Sequence, residues 1–501
     1  MNKPVSPARN IFFLLFFAAG TGILLFQYFS NRSLWLDESM LALGIIKADF
    51  AGLFNPLPHS QVAPILFLLI EKLNTVLFGN GEKALRLFPL LAALASLALI
   101  YYACIALTGR KRMGLLSMTI LCCSPVFIFY SSEVKQYVVD LFVMLSLLVV
   151  TFYGSPFLNK YRYVSLAVAG GIACFLSNVS VIMLAVLGGV LLIRIIRSYR
   201  EKASYFNIIL PLIVWTICFG VNYYFFIYGH PHQAGMKTYW SFAFMPTPGD
   251  PEFLHWILSR GSQVFYEMVP IKGGLPPALI CLIYAAGIGH MIFRKKYLLA
   301  YLCAAPVAIH LMLSFLKMYP FDLRLILYQL PLFIIVFAYV TDQLSVIISF
   351  NRAFQLLLIF VAFICIFSVR VFRKLPLKKE EIKKSLAVLE KEARPGDSVY
   401  VYYGAWAAFT YYQQQPEYHK TSSLPFTIGH SHLDDNNGYL EELKKMSGRV
   451  WVLFSHGYPF DGSAKEEKFI ISGLEKRGKL VTHFEDTDTA VYLFELQPAS
   501  E

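Results

Sequence analysis

Two adjacent carboxylates, Asp37 and Glu38, stand in Ser33-Leu34-Trp35-Leu36-Asp37-Glu38-Ser39, just past the first long apolar run. Ionised carboxylates are costly to bury in lipid, so a pair at this place is expected to face water and a reactant. The chemistry suggested is acid–base work beside a bilayer. Two other segments combine suitable groups: the turn Ser131–Tyr137, with Glu133, Lys135 and Tyr137, and the run Met318–Arg324, with Tyr319 and Arg324. His59 lies in Pro58-His59-Ser60-Gln61, and Arg86 opens a later apolar run. Each has a plainer reading. The acidic pair suits a helix N-terminus, Glu133 could simply pair with Lys135, the arginines could snorkel to headgroups, and the tyrosines could belong to an interfacial aromatic belt.

The elements that must position these groups are set by composition. Of 501 residues, 57% are hydrophobic and 15% charged, and the mean hydropathy is +0.55. A soluble protein carries roughly a quarter charged residues, so the chain reads as a polytopic membrane protein. Its net charge of +12 does not indicate nucleic acid, because Lys and Arg collect at the ends of apolar runs instead of forming one stripe. The cysteines, at 104, 122, 123, 174, 218, 281, 303 and 365, all fall inside apolar runs and read as packing residues, which excludes a disulfide-stabilised outer domain.

The run 11–29 follows Lys3 and Arg9 and lacks a small-x-small cleavage pattern, so it reads as an uncleaved anchor with a cytoplasmic N-terminus. Further spans are expected at about 84–108, 113–130, 135–153, 162–177, 179–197, 206–228, 276–293, 297–316, 323–342 and 352–370. The basic clusters 110–112, 160–162, 194–200 and 294–296 share one side only if the piece 62–79, with Glu71, Lys72 and Asn74 in its middle, does not cross. About eleven spans follow, with an even-numbered alternative if 62–79 does cross, in a range of about eleven to thirteen. The loop 29–60, the 131–137 turn, the loop 229–275 and the 318–324 segment then emerge on one outer face. Arg370, Arg373, Lys374, Lys378 and Lys379 break the pattern, since they follow the last span on that same face.

After residue 375 the composition becomes that of a soluble domain. A charged amphipathic helix over 378–392 is stopped by Pro395-Gly396. Strands are expected at 398–403, 449–454, 480–484 and 490–495, with a helix near 465–477. The expected division is a membrane domain over 1–374 and a small α/β domain over 375–501.

The Leu-Trp-x-Asp-Glu loop, the acidic turn with Lys135 and Tyr137, and the late Tyr-Pro-Phe-x-x-Arg segment together resemble the GT-C superfamily of membrane glycosyltransferases. The nearest branch is the RgtA/B/C/D-like one, which is similar to protein O-mannosyltransferases and lipid A aminoarabinose transferases. The resemblance implies an inverting single displacement on the non-cytoplasmic face of a cell membrane. The donor would be a polyprenyl-phosphate sugar and the acceptor a cell-envelope glycolipid, polysaccharide or protein. Asp37 would then be the general base, with Glu38 and Glu133 as further acids of the site. Arg86, Lys135 and Arg324 would bind the donor phosphate, and His59, Tyr137 and Tyr319 would contact substrate. His59 departs from the Glu-Lys-Pro form of the aminoarabinose transferases. No cofactor is required, although a divalent metal ion on Asp37, Glu38 and Glu133 is an open alternative. His230, His232 and His255 match no metal-ligand spacing. Readings from other classes are a lipid-linked sugar flippase or transporter, and a non-catalytic subunit of a polysaccharide assembly complex. Runs free of central charges disfavour the first, and tolerance of Asp37→Asn would mark the second.

Overall fold

The computed structural model describes residues 11–200, 205–229, 231, 233–268, 276–347, 372–432, 437–457, 459–460 and 464–498. Lys3, Arg9, His230, His232 and the expected span 352–370 lie outside these residues.

The chain opens with α1 (Ile11–Phe29), α2 (Leu36–Lys47), α3 (Ile65–Phe78), the short α4 (Glu82–Leu85) and α5 (Leu87–Thr108). It continues through α6 (Lys111–Cys122), α7 (Pro125–Tyr130), α8 (Tyr137–Phe152), α9 (Pro156–Leu176), α10 (Ser180–Arg200) and α11 (Phe206–Asn222). Three short helices, α12 (Gln233–Tyr239), α13 (Glu252–Trp256) and α14 (Ser262–Met268), precede α15 (Pro277–Phe293), α16 (Tyr297–Phe315) and α17 (Leu330–Ile347). Among the described residues, 6 helical stretches are long and apolar enough to cross a membrane, and Tyr137–Phe152 and Pro277–Phe293 are apolar but shorter.

Two expected spans are corrected by local chemistry. The run 113–130 is not one helix, because Pro125 cannot continue α6. Instead, Ser124 Oγ accepts from Phe127 N at 3.4 Å and Pro125 starts α7. The run 323–342 does not begin as helix either: residues 323–326 form a turn and bend, and α17 starts at Leu330. Arg324 therefore sits on a turn, not on a helical face. The short α3 is tied to α2 by Lys72 Nζ, which donates to the Ile45 and Ile46 carbonyls at 3.2 and 3.0 Å.

The bundle has a basic end. Arg110, just before α6, and Arg112, in its first turn, both pair with Asp342 near the end of α17. Lys296, just before α16, lies 4.9 Å from the Tyr339 ring centroid, and Arg194 lies 5.9 Å from the Phe152 ring at the end of α8. Clusters far apart in sequence thus collect at one end, as the charge pattern predicts. Asp37, Glu133, Lys135 and Arg324 meet at the opposite ends of these helices.

Beyond residue 375 come α18 (Ile382–Glu392), α19 (Trp406–Tyr412) and a five-stranded mixed sheet of order β2-β1-β3-β7-β6. Here β1 is Ser398–Val401, β2 is Phe426–Ile428, β3 is Gly448–Ser455, β6 is Gly478–Asp486 and β7 is Thr489–Leu496, while Pro459–Phe460 (β4) and Ala464–Lys465 (β5) form a separate pair. β1 is parallel to β2 and β3, and β7 is antiparallel to β3 and β6. The four expected strands are present; β2 and α19 were not expected. This region docks on the end of α1, the loop that follows it and the start of α4. Gln27 Nε2 donates to Leu377 O at 2.9 Å and its Oε1 accepts from Leu377 N at 2.8 Å. Lys383 Nζ reaches Glu82 at 2.8 Å, and the Tyr412 hydroxyl accepts from Leu34 N at 2.8 Å.

Candidate active site

Asp37 and Glu38 occupy the first turn of α2, where the helix dipole favours negative charge. Their side chains nevertheless go to different places, since neighbours on a helix point about a quarter-turn apart. Glu38 turns inward and is fully buried. Its Oε2 accepts from Arg32 Nη1 at 2.6 Å and Arg86 Nη2 at 2.9 Å, and its Oε1 from Arg86 Nε at 3.1 Å and Val134 N at 2.9 Å. Arg86 also donates to the Arg32 and Ser33 carbonyls, and Arg32 donates to Ser132 O at 3.0 Å. Burial alone would push the Glu38 carboxyl up, but Arg32 and Arg86 pull it below the usual carboxylate range. The result is a saturated ionic hub that fixes the 131–135 turn against the start of α2.

Asp37 turns outward and keeps 25% of its side chain accessible, paired with Arg324, which keeps 13%. The Arg324 guanidinium lies 4.6 Å from the Trp240 ring and 5.8 Å from Trp35, so aromatic faces hold its plane. Burial raises the Asp37 carboxyl, yet Lys135, Arg324 and Lys379 outweigh it and hold the group below its ordinary value. Lys135 is buried and donates to Gln61 Oε1 at 2.6 Å. Glu133 is fully buried: Oε1 accepts from Trp35 Nε1 at 2.8 Å, while Oε2 has no partner among the described residues. Burial, then the charge of Glu38, lifts its carboxyl to about 7.

Of the residues expected at the site, Asp37, Glu133, Lys135 and Arg324 converge. Tyr137 is buried and Tyr319 half-buried; both interact electrostatically with Arg324. Arg86 and Glu38 are joined to each other beneath the site, and Arg86 presents no accessible guanidinium to a phosphate. His59 is exposed at φ 58° with its ring 4.5 Å from Trp406, and the polar contact of that loop to the site comes from Gln61 instead. The sequence reading missed Gln61, Trp240, Arg32 and Lys379. Lys379 carried a signal, because it belonged to the basic run that violated the charge rule.

The three acids do not suit a metal ion. Both oxygens of Glu38 are engaged by guanidiniums, whose charge repels a cation. Among the described residues, the donors close enough together are Glu380, His456 and Asp488, within 4.8 Å of one another. Glu380 is already engaged: His456 Nδ1 lies 2.7 Å from Oε1, and Leu36 N donates to Oε2 at 3.1 Å. Through Glu380 the C-terminal region is tied to the first turn of α2.

An apolar groove of about 710 Å³ opens between α3, α9 and α11, lined by Phe54, Ile65, Leu69, Phe175, Val221 and Phe226 among others. Phe54 and Ile65, which line the groove, flank the loop that carries Gln61.

Residues 62–219 match the family described as dolichyl-phosphate-mannose-protein mannosyltransferase. The segment contains Arg86, Glu133 and Lys135; Asp37, Arg324 and Lys379 lie outside it. No curated protein matches the chain. Among solved structures, the chain is similar to ArnT from Cupriavidus metallidurans bound to undecaprenyl phosphate, with 14% identity, coverage of 96% of this chain and 97% of that one, and a TM-score of 0.50. The apo state of the same ArnT gives 15% identity, the same 96% and 97% coverage and a TM-score of 0.49. The family match covers residues 62–219 only, and the similarity to ArnT is one of fold across nearly the whole of both chains.

Proposed function

We propose that this protein transfers a sugar from a polyprenyl-phosphate carrier to a hydroxyl of a cell-envelope acceptor, with Asp37 as general base. The single observation that carries the reading is the Asp37–Arg324 pair, an accessible carboxylate held against a fixed cation at the non-basic end of the bundle. The acceptor O–H gives its proton to Asp37 as the oxygen bonds to the anomeric carbon. The bond from that carbon to the phosphate oxygen breaks, and the phosphate leaves with the electron pair. Arg324 and Lys135 then stabilise the charge that builds on the leaving group. A phosphate arriving beside these cations also weakens their hold on Asp37, which raises its basicity when a base is needed. The groove between α3, α9 and α11 suits the carrier's hydrocarbon chain, as ArnT's binding of undecaprenyl phosphate suggests by analogy.

The basic end is assigned to the cytoplasm by the charge rule, which puts the site on the non-cytoplasmic face. Asp342 lies at the basic end, whereas Leu377 is bound to Gln27 near the far end of α1. This reading includes a count of about eleven spans and a soluble α/β domain over 375–501 on the site's side. Glu38 and Arg86 are assigned a positioning role and Glu133 a place at the site through Trp35.

The reading is tested by reconstituting wild type and Asp37→Asn in liposomes with a panel of polyprenyl-phosphate sugars and a crude envelope acceptor. Release of free polyprenyl phosphate by wild type, reduced at least about 10²-fold in the variant, is the expected result. Equal release by both proteins would reject Asp37 as base.

A further inference from the structure

The C-terminal segment brings a cation to this site that neither the motif pattern nor the matched family segment includes. Lys379 projects its Nζ over the indole of Trp35, 2.9 Å from the ring centroid. The same indole donates to Glu133 and lies beside Arg324. Lys379 is solvent-exposed, and among the described residues no carboxylate forms an ion pair with it. Its position is fixed from both sides. Two residues earlier, Leu377 makes two hydrogen bonds to Gln27, and the next residue, Glu380, accepts from Leu36 N and from Ser455 Oγ.

The local charge balance then points to a ligand. Asp37 is matched by Arg324, Glu38 by Arg32 and Arg86, and Lys135 rests on the neutral amide of Gln61. Lys379 rests on a π face. Glu133 and Glu380 are the remaining acids nearby, so Arg32, Arg86, Arg324, Lys135 and Lys379 face Asp37, Glu38, Glu133 and Glu380, an excess of positive charge in a partly enclosed site, which attracts a compact anion. Lysine suits a phosphate as a point charge, complementing the planar fork of Arg324.

We propose that Lys379 is the third cation of a lipid-phosphate site, joining Arg324 and Lys135, so that the site is complete only when the C-terminal region is docked. The inference rests on the polyprenyl-phosphate reading above and deepens it. It also gives a role to one residue, Lys379, of the basic run that breaks the charge pattern.

The test uses the full-length protein in phosphatidylcholine nanodiscs, with undecaprenyl phosphate as probe and the uncharged polyprenol as control. Lys379→Met keeps a long apolar stem on Trp35 and removes the charge; Lys379→Arg keeps the charge; Lys378→Ala serves as a neighbouring control. The expected result is about tenfold weaker binding of undecaprenyl phosphate by Lys379→Met, with polyprenol binding unchanged, Lys379→Arg close to wild type and Lys378→Ala equal to it. Binding of the phosphate lipid by Lys379→Met within about twofold of wild type, with Arg324→Ala impaired, would overturn the role of Lys379 and leave the functional reading standing. Equal weakening for both lipids would also overturn it, by making the effect one of packing. If wild type itself does not prefer the phosphate lipid to polyprenol, both the functional reading and this inference fall.

Discussion

Replacing Glu38 by Gln separates a positioning role from a chemical one. The Glu38 carboxylate accepts four hydrogen bonds, three of them from Arg32 and Arg86, whose side chains are each 1% exposed. Glutamine keeps one acceptor oxygen but turns an NH2 toward a guanidinium, and two buried cations lose their counter-charge. Breaking a buried ion pair from one side costs about 3–5 kcal/mol, or roughly 10²–10⁴ in the folding equilibrium. Asp37→Asn breaks a partly exposed pair and should cost only about 1 kcal/mol. Denaturant-induced unfolding in detergent micelles, with turnover measured on the same samples, compares the two. Glu38→Gln should lower stability by the larger amount and lose activity with it, while Asp37→Asn should lose activity at nearly unchanged stability. A Glu38→Gln protein as stable as wild type but inactive would refute the hub argument and restore Glu38 to the chemistry.

Two other variants probe the groups around Asp37. Arg324→Lys retains the charge but not the planar stacking on Trp240 and Trp35, so turnover should fall about 10²-fold; wild-type kinetics in this variant would show that the fixed plane does not matter. Glu133 titrates near 7 in the folded protein, against about 4.3 in an unfolded chain. Its contribution to stability is therefore fully present below about 4.3 and is lost as pH rises through about 7. Thermal unfolding between these pH values should fall more steeply for wild type than for Glu133→Gln, and parallel curves would contradict the assignment.

Hydropathy and charge placement made the membrane class, the basic end and the α/β composition of the tail legible, because transfer from water to lipid acts on each residue by its own type. The acidic pair in Trp-x-Asp-Glu was legible as a candidate site for the same reason: charge beside an apolar run has to be explained locally. The order of the pair's roles was not. Which carboxylate faces solvent depends on helix phase and on which partners arrive, and Glu38 meets Arg86 across 48 residues of sequence. Proline and turn chemistry at Pro125 and before Leu330 cut spans that hydropathy alone ran together, and the second cut released Arg324 toward Asp37. Lys379 was visible only as a broken rule. Sequence fixes a residue's cost of burial, whereas its function here depends on pairings such as Gln27 with Leu377, 350 positions apart, which only the packed chain can bring about.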